Sequence, residues 1–296
     1  MTQKPQKTAI QNIQNIQKTH GAQGIALIAV LWIVAALSII VTGVVHSVRG
    51  EVRLVTAARQ TIEAVAWGEA AIVLTLQDLL ARNDRPIKLT YTDLVYQDHP
   101  ITVEVMPLTG LIDINNAPEP LLTLLYTVAG GLDAQAAKAL AVATVEVRSE
   151  RDGRGRMQGF EAIQDLLRVP GIGYDLYARL SRLITAESQG VGRVNVQAAP
   201  EEVLVVLADG NAAQARTIAT RRAISGTEID TTALHGELIG STFSTRYRLQ
   251  AHVALPDGAL VLVSRSVDLR ADPRLGLPWR IFNAEHWMQA PPAKGV

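Results

Sequence analysis

Residues Ile25–Val45 read IALIAVLWIVAALSIIVTGVV, 21 positions without a charged side chain. A helix of that length spans about 31 Å, close to the hydrocarbon thickness of a bilayer. The residues before this stretch include Lys4, Lys7 and Lys18 and no acidic side chain. The sequence therefore predicts one transmembrane helix with its N-terminus in the cytoplasm and the rest of the chain exported.

Three interpretations of this segment are open. A cleaved secretory signal has a shorter apolar core and a small-residue cleavage site after it, and His46–Arg49 matches that pattern poorly. An uncleaved anchor fits the length. In the third interpretation, Gly24 stands between the basic leader and Ile25, which resembles a type IV prepilin cleavage site. There a peptidase cuts after the glycine and keeps the apolar helix.

The helical pattern continues beyond the apolar stretch. Residues 46–82 contain no proline, and their only glycines are Gly50 and Gly68. Apolar side chains recur at three- and four-residue steps, which is typical of an amphipathic helix. The turn-forming run Arg82–Pro86 ends the pattern. We expect one helix from Ile25 to Ala81, with its first half in lipid and one face of its second half buried.

The middle of the chain contains an internal repeat. Gly110–Leu122 recurs as Gly192–Leu204 at an offset of 82 residues without gaps. Each copy begins with an alternating stretch that predicts a short strand. An Ala-Pro-Glu sequence then opens a helix, with Pro118 or Pro200 near the first turn, where a missing N–H is harmless. The repeat predicts a pair of related strand-to-helix units.

Between the copies, Pro170, Gly171 and Gly173 form a Val-Pro-Gly-Ile-Gly turn that resembles the helix-hairpin-helix motif. In that motif, backbone N–H groups of the turn meet a phosphate. Both glycines are predicted to supply the positive φ values of such a turn. DNA binding would need a denser basic surface than Arg179 and Arg182 provide. A structural turn is the favoured interpretation, and the alternative is a membrane-anchored DNA-binding protein of competence type that uses this turn.

The sheet is predicted from separated parts of the sequence. Ile101–Met106 alternates as a strand, and Thr242–Ala254 and Ala259–Leu269 form a hairpin around Pro256-Asp257-Gly258. The helical repeat region thus lies between strands of one sheet. We expect the tail after Ala271 to be irregular.

Composition excludes several classes of function. The chain has 28 basic and 28 acidic residues, so it is not broadly basic. It has no cysteine, which removes disulfides, thiolate metal sites and cysteine nucleophiles. The histidines lack metal-site spacing, and no nucleophile-elbow motif is present. We predict that the chain is not an enzyme; an envelope-anchored enzyme is a third, weaker hypothesis.

The order of these features resembles the minor pseudopilin K family of type II secretion systems. The resemblance covers about residues 20–270 and implies an α+β fold: a pilin-like lollipop with a long N-terminal helix, a small antiparallel sheet and an inserted helical domain. It also implies cleavage after Gly24 and N-methylation of Ile25 by the prepilin peptidase. Most pilins carry a glutamate at the fifth mature position, and this family resembles the present chain in lacking it at Ala29.

The resemblance implies a role for the chain and a set of partners. The chain would cap a periplasmic pseudopilus and help initiate its assembly, with the I and J minor pseudopilins and the major pseudopilin as partners. It would be a single-pass inner-membrane protein with a periplasmic body, in contact with inner-membrane lipid and without nucleic acid. Many family members bind calcium, but Val145–Arg148 and the arginines after it do not support calcium here, so no cofactor or metal ligand is assigned.

The predicted organisation has six parts. They are a leader (1–24), a transmembrane helix (25–45), the core helix with the first strands (46–112), an inserted helical domain (113–236), a C-terminal hairpin (237–272) and an irregular tail (273–296). Removal of the leader would leave 25 basic and 28 acidic residues, a formal charge of −3. A mildly acidic exported body further disfavours DNA binding.

Overall fold

The computed structural model describes the backbone of residues 8–82, 85–151, 153, 155, 157–187, 190–225, 230–270 and 276–290. Within the first and last helices, it describes side chains only at 27–42, 51, 54–82 and 212–222. The chain divides into two compact units, Met1–Ile62 and Glu63–Val296.

Helix α1 (Thr8–Arg82) confirms the predicted continuous helix and begins earlier than expected, within the leader. It ends at Arg82, where the sequence pattern placed its end. In the first unit, the large apolar side chains of Leu27–Val41 are between 54% and 74% exposed. The hydroxyls of Ser38 and Thr42 donate to carbonyls four residues earlier, so these polar groups are satisfied within the helix.

The second unit contains an antiparallel sheet, which confirms the predicted α+β class. Its described strands lie in the order β1-β2-β5-β6-β7, with every neighbouring pair antiparallel. They are β1 (Thr90–Tyr96), β2 (His99–Pro107), β5 (Arg246–Ala254), β6 (Leu260–Asp268) and β7 (Arg280–Gln289). Strand β2 confirms the Ile101–Met106 prediction, and β5 and β6 form the predicted hairpin around Pro256-Asp257-Gly258.

Two strands of this sheet were not predicted from the sequence. The predicted irregular tail (273–296) is wrong over Arg280–Gln289, which pairs with β6 as the edge strand β7. No proline lies between Trp279 and Ala290, so this stretch can form a full ladder. Strand β1 joins β2 through Gln97 and Asp98, both at positive φ (48° and 66°). That turn lacks the glycine by which such a hairpin is usually recognised.

The end of α1 packs on the sheet through small and apolar side chains. Ala64, Ala71, Ile72 and Leu76 are buried in a core with the inward residues of β2, β5 and β6. Gly68 lies where the helix comes nearest to the sheet, because a Cβ there would stand 2.6 Å from Val263 Cγ2. The glycine that the sequence left unexplained in the amphipathic helix therefore permits close packing.

A second core belongs to the helical region between β2 and β5, with Tyr126, Leu121 and Leu204 fully buried in it. The Tyr126 hydroxyl lies 2.7 Å from Thr144 Oγ1, and burial raises the pKa of Tyr126 to about 12. The elements of the region are β3 (Ile112–Asp113), α2 (Glu119–Leu124), α3 (Ala134–Ser149), α4 (Tyr174–Leu180), β4 (Ile184–Thr185), α5 (Glu201–Leu207) and α6 (Ala212–Ser225). The limits 113–236 of an inserted domain stay a prediction.

Candidate functional site

The predicted processing site lies in the first half of α1. The backbone at Gly24 and Ile25 is helical, and their side chains lie outside the described residues. Cleavage after Gly24 and methylation of Ile25 stay predictions. The described part of the predicted membrane span is Leu27–Thr42, a run of 16 apolar or small uncharged residues.

Among the described residues, one helical stretch has both the length and the apolarity to cross a membrane, Leu54–Arg82, with a mean hydropathy of 1.4 over an 18-residue window. We assign the part of this stretch from Ala64 onward to the protein core instead, since its inward face covers the sheet. The stretch also carries Glu63, Glu69 and Asp78. Leu27–Thr42 is shorter, but it has no charge and no buried face, so it is the better candidate for a bilayer.

The outward face of the α1 end also carries apolar side chains. Val73 and Leu74 are exposed to 36% and 43% and lie in the sequence between the buried Ile72 and Leu76. One turn before Val73, Glu69 forms an ion pair with Arg265 of β6. An exposed pair of apolar residues on a helix is a candidate contact for another helix.

The two repeat copies have the same local fold. We call Gly110–Leu122 the first copy and Gly192–Leu204 the second copy. In the first copy, β3 pairs in parallel with β4. In the second copy, Val194 pairs in parallel with Ile239. Each copy then enters a helix, α2 or α5, so the prediction of related strand-to-helix units is confirmed.

The copies interlock through their glycines. A Cβ on Gly110 would collide with the backbone of Ala198 in the second copy, and a Cβ on Gly192 would collide with Asn116 in the first. Asn116 and Ala198 are themselves related by the offset of 82 residues. The two copies therefore meet in a reciprocal arrangement that requires glycine at both positions.

An arginine clamps each copy. Arg148 of α3 donates to the carbonyls of Ile114 and Ala117 at 2.9 and 2.8 Å. Arg222 of α6 donates at 3.1 and 2.6 Å to the carbonyls of Val196 and Ala199, the equivalent positions of the second copy. Burial lowers the pKa of both guanidinium groups. Because the two arginines are 74 residues apart, the 82-residue repeat did not reveal them.

The first turn of each copy is an Asx turn, which the sequence analysis missed. The Asp113 carboxylate accepts from the Asn115 N–H at 2.9 Å, and the Asn195 side chain accepts from the Gln197 N–H at 3.0 Å. Burial raises the pKa of Asp113, opposed by hydrogen bonds from Asn115 and Asn116 and by the charge of Arg148. A buried Asp at the same repeat position as an Asn was the available signal.

The copies attach to different parts of the second unit. In the first copy, Asn115 Nδ2 donates to the carbonyls of Phe160 and Ala186, within the helical region. In the second copy, Asn195 Nδ2 donates to Ile87 O at 2.7 Å, and the Leu89 N–H donates to Gln197 O. Ile87 and Leu89 lead into β1, so the second copy is joined to the start of the sheet.

An ion cluster joins the segment after β4 to the sheet. Arg246 of β5 lies 2.6 Å from Glu187 Oε2 and 3.1 Å from Asp268 Oδ2. Arg270 reaches the same Asp268 oxygen at 2.6 Å. Although burial opposes it, hydrogen bonds from Arg270, Arg246 and Thr245 hold the pKa of Asp268 well below its usual range. Strand β4, which pairs with β3 of the first copy, is thereby tied to the β5–β6 hairpin of the sheet.

The glycine turn differs from its prediction in two respects. The segment before it, Ile163–Arg168, is a 3-10 helix, not an α-helix. Gly171 has the predicted positive φ (96°), but Gly173 has φ −93° and ψ 173°, so the expectation for Gly173 is wrong. Gly173 instead provides the extended residue that begins α4. Pro170 lies in the turn, which packs against Leu140 of α3 beneath Gly171.

The described residues contain no group of three or more His, Cys, Asp or Glu side chains that could hold a metal ion. Val145–Arg148, where the family pattern suggested calcium ligands, lies in α3. Its Arg148 is directed at the carbonyls of the first copy. The expectation of no cofactor stays a prediction.

Comparison with solved structures gives a structural likeness. No family model matches the chain, and no curated protein matches it. A solved structure, the GspK-GspI-GspJ complex from the enterotoxigenic Escherichia coli type 2 secretion system, aligns with a TM-score of 0.46 and 14% identity. The alignment covers 79% of this chain and 99% of the other. At this level of similarity, the function has to be argued from the residues.

Proposed function

We propose that this protein is a membrane-anchored minor pseudopilin that caps a type II secretion pseudopilus and helps to initiate its assembly. The observation that carries the proposal is the double use of α1. Its early part, Leu27–Thr42, is uncharged and exposed on all sides, whereas its last turns pack against an antiparallel sheet and share a core with it. An exposed helix that is apolar all round needs an apolar surrounding, which a bilayer supplies.

The leader supports the direction of insertion. Its lysines favour a cytoplasmic N-terminus, so the sheet and helical region would lie in the periplasm. Cleavage after Gly24 would keep the anchor and release the basic leader. The absence of a carboxylate at Ala29 fits a subunit with no neighbour beyond it, because a carboxylate in lipid is costly unless a partner amine neutralises it.

The second unit has a surface on which the next pseudopilin subunits of the pseudopilus could pack. Val73 and Leu74 lie outward on α1, where the apolar helix of another pseudopilin could pack. The helical region adds the whole of 108–245 to one subunit, a bulk that repeated packing along a filament would have to accommodate. Such a subunit fits a single terminal position best. The proposed partners are the I and J minor pseudopilins and the major pseudopilin.

Immunogold labelling tests the cap directly. The full-length protein with an epitope after residue 290 would be co-expressed with the major pseudopilin and the I and J proteins. We expect gold at one end of each filament. Gold spaced along the filament side would contradict the cap, and filaments that form equally often without this protein would contradict a role in initiation.

A Val73→Glu variant tests the helix face. We expect it to lose co-purification with the I and J proteins, since a charge would enter an apolar contact. Arg82→Glu, at the exposed C-terminal end of the same helix, changes charge outside this face and is the matched control. Equal recovery of partners with both variants would place the contact elsewhere.

A further inference from the structure

A cleft of about 1010 Å³ lies within the second unit, between the sheet and the helical region. Its floor is a polar row across neighbouring strands, Glu104, Gln250 and Ser264. Its opposite wall includes the apolar Val205 and Val206 of α5, with Glu202 of the same helix beside them. The volume reaches the upper end of the range of small-ligand sites, and the lining combines apolar side chains with polar and charged ones.

Arg248 is the unusual group in this cleft. Its neighbours across the sheet are Met106 and Ser266, and its side chain is half-buried in the lining of the cleft. Among the described residues, its one hydrogen bond goes to Arg182 O, at a long 3.4 Å. A guanidinium carries five N–H donors. Most of the donor capacity of Arg248 is therefore free for another acceptor.

The nearby acids do not satisfy this guanidinium. Glu104 and Glu285 both act on Arg248 electrostatically, but neither forms an ion pair with it within 4.0 Å in the described chain. Glu285 accepts a hydrogen bond from Asn283 at 3.0 Å. Glu104 interacts with Tyr91, its cross-strand neighbour. Arg248 thus has N–H donors available for an oxygen acceptor.

The same acids restrict the charge of a ligand. A phosphate or a nucleic-acid backbone would bring two or more negative charges close to Glu104 and Glu285, which like-charge repulsion disfavours. The lining holds Glu104, Glu202 and Glu285 against three arginines, so a ligand with one negative charge meets less repulsion than one with several. The floor and wall offer Leu262, Leu183 and Val206 to an apolar body, and Arg182 stacks over the Trp287 ring at 5.4 Å along the border.

We propose that the cleft binds an apolar monocarboxylate, with the carboxylate at Arg248 and the apolar part between Leu262 and α5. The chemistry is shared by the C-terminus of a peptide that ends in an apolar residue and by a fatty acid. The proposal is independent of the pseudopilus role, since it concerns a ligand and not a subunit contact. It makes Arg248 a binding residue, where the sequence showed only one of the two arginines in strand β5.

Ligand-observed saturation-transfer NMR on the full-length protein in detergent tests the proposal. The probes are N-acetyl-L-leucine, hexanoate and N-acetyl-L-leucinamide, the last having the same body without the charge. We expect at least one of the two acids to bind with a Kd of about 1 mM and the amide to bind at least about tenfold more weakly. Preference for N-acetyl-L-leucine would indicate a peptide terminus, and preference for hexanoate a fatty acid.

Two variants locate the site, with a third as the control. Arg248→Gln is expected to weaken acid binding about tenfold or more. Val205→Trp keeps Arg248 but fills the cleft from the α5 wall, and should weaken it similarly. Arg221→Gln removes an exposed arginine on α6 and should change nothing. The proposal is overturned if the amide binds as well as the acids, if either Arg248→Gln or Val205→Trp binds the acids normally, or if neither acid saturates at about ten times the expected Kd.

Discussion

The two repeat copies show how one local fold serves two purposes. Each has a parallel strand pair, an Asx turn, a helix and a clamping arginine. The first copy has Asp113 at its turn and is held mainly by the helical region. The second has Asn195 there and is joined to the segment before β1. The shared contacts maintain the fold, and the differing contacts determine where each copy is attached.

The two copies also differ in the acidic residue that interacts with the arginine. Arg148 interacts electrostatically with the buried carboxylate of Asp113, whereas Arg222 interacts with Glu104 of β2. The acid that interacts with the arginine thus belongs to the repeat in the first copy. In the second copy, it belongs to the sheet. The clamps should therefore respond differently when the residue at the Asx turn is changed.

The largest expected effect comes from the interlock that both copies share. Gly192→Ala should destabilise the protein by about 3 kcal/mol or more, because the new Cβ would overlap the Asn116 carbonyl. Gly131→Ala is the matched control: Gly131 also has a positive φ (69° against 80°), but it has open space around it. It should cost only about 1 kcal/mol. Denaturant unfolding of the full-length protein, followed by tryptophan fluorescence, measures both; equal losses would refute the interlock.

The clamps give the next largest effect. Arg148→Met should cost about 3 kcal/mol, since two carbonyls lose their donor and Asp113 loses its countercharge. Arg222→Met should cost about 1 kcal/mol less, because the acid that interacts with it, Glu104, is half-buried, whereas Asp113 is fully buried. In an Asp113→Asn background, the loss caused by Arg148→Met should fall by about 1 kcal/mol or more, as a double-mutant cycle of unfolding midpoints would show. An unchanged loss in that background would mean that the Asp113 carboxylate does not contribute to the effect of Arg148.

The ion cluster of Arg246, Glu187, Asp268 and Arg270 tests how strongly the segment after β4 is attached to the sheet. Asp268→Asn should cost about 1–2 kcal/mol at neutral pH, a figure reduced because Arg270 is largely exposed. The folded-state pKa of Asp268 is lowered, so its contribution is present above the unfolded pKa of about 3.9 and is lost as the pH falls through the folded value.

Unfolding curves from neutral pH down to acid pH check the direction of this pH dependence. The difference in the free energy of unfolding between the original protein and Asp268→Asn should become smaller as the pH falls. A difference that is constant over that range would show that the carboxylate charge is not what stabilises the cluster. Thr232→Ala, beside the exposed Asp230, is a control that lies outside the cluster.

The smallest effects concern the glycine turn, which lies between the 3-10 helix Ile163–Arg168 and α4. Gly171→Ala should cost about 1–2 kcal/mol because its φ is positive and Leu140 Cδ1 lies 3.3 Å from the new Cβ position. Gly173→Ala should stay within about 0.5 kcal/mol, since its backbone is extended and the space is open. Nearly equal costs would contradict the assigned turn. DNA retention that both variants reduce would revive the helix-hairpin-helix alternative.

The sequence predicted the parts of the fold that depend on local patterns. The α1 pattern, the β5–β6 hairpin and the repeat all follow from periodicity, turn chemistry or self-similarity. Gly110 and Gly192 were visible as a repeated pair, but their reciprocal contact is a tertiary fact that spacing alone does not show. Arg148 and Arg222 escaped because the helices before them differ in length between the copies.

The missed strands have a different cause. β1 ends at a turn without glycine, and β7 lies in a region whose flanking prolines suggested irregular structure. Both are edge strands, which are specified by pairing with a neighbour more than by their own sequence. Arg248 was missed for the same kind of reason, since its enclosure depends on helices that come from elsewhere in the chain.

The N-terminus of the mature protein tests the central proposal most directly. The protein would be expressed with its prepilin peptidase, purified from the inner membrane and examined by intact mass and N-terminal peptide mass spectrometry. We expect a chain that begins at N-methylated Ile25, with the leader absent. A chain that retains Met1 or begins after residue 45 would contradict the pseudopilin account.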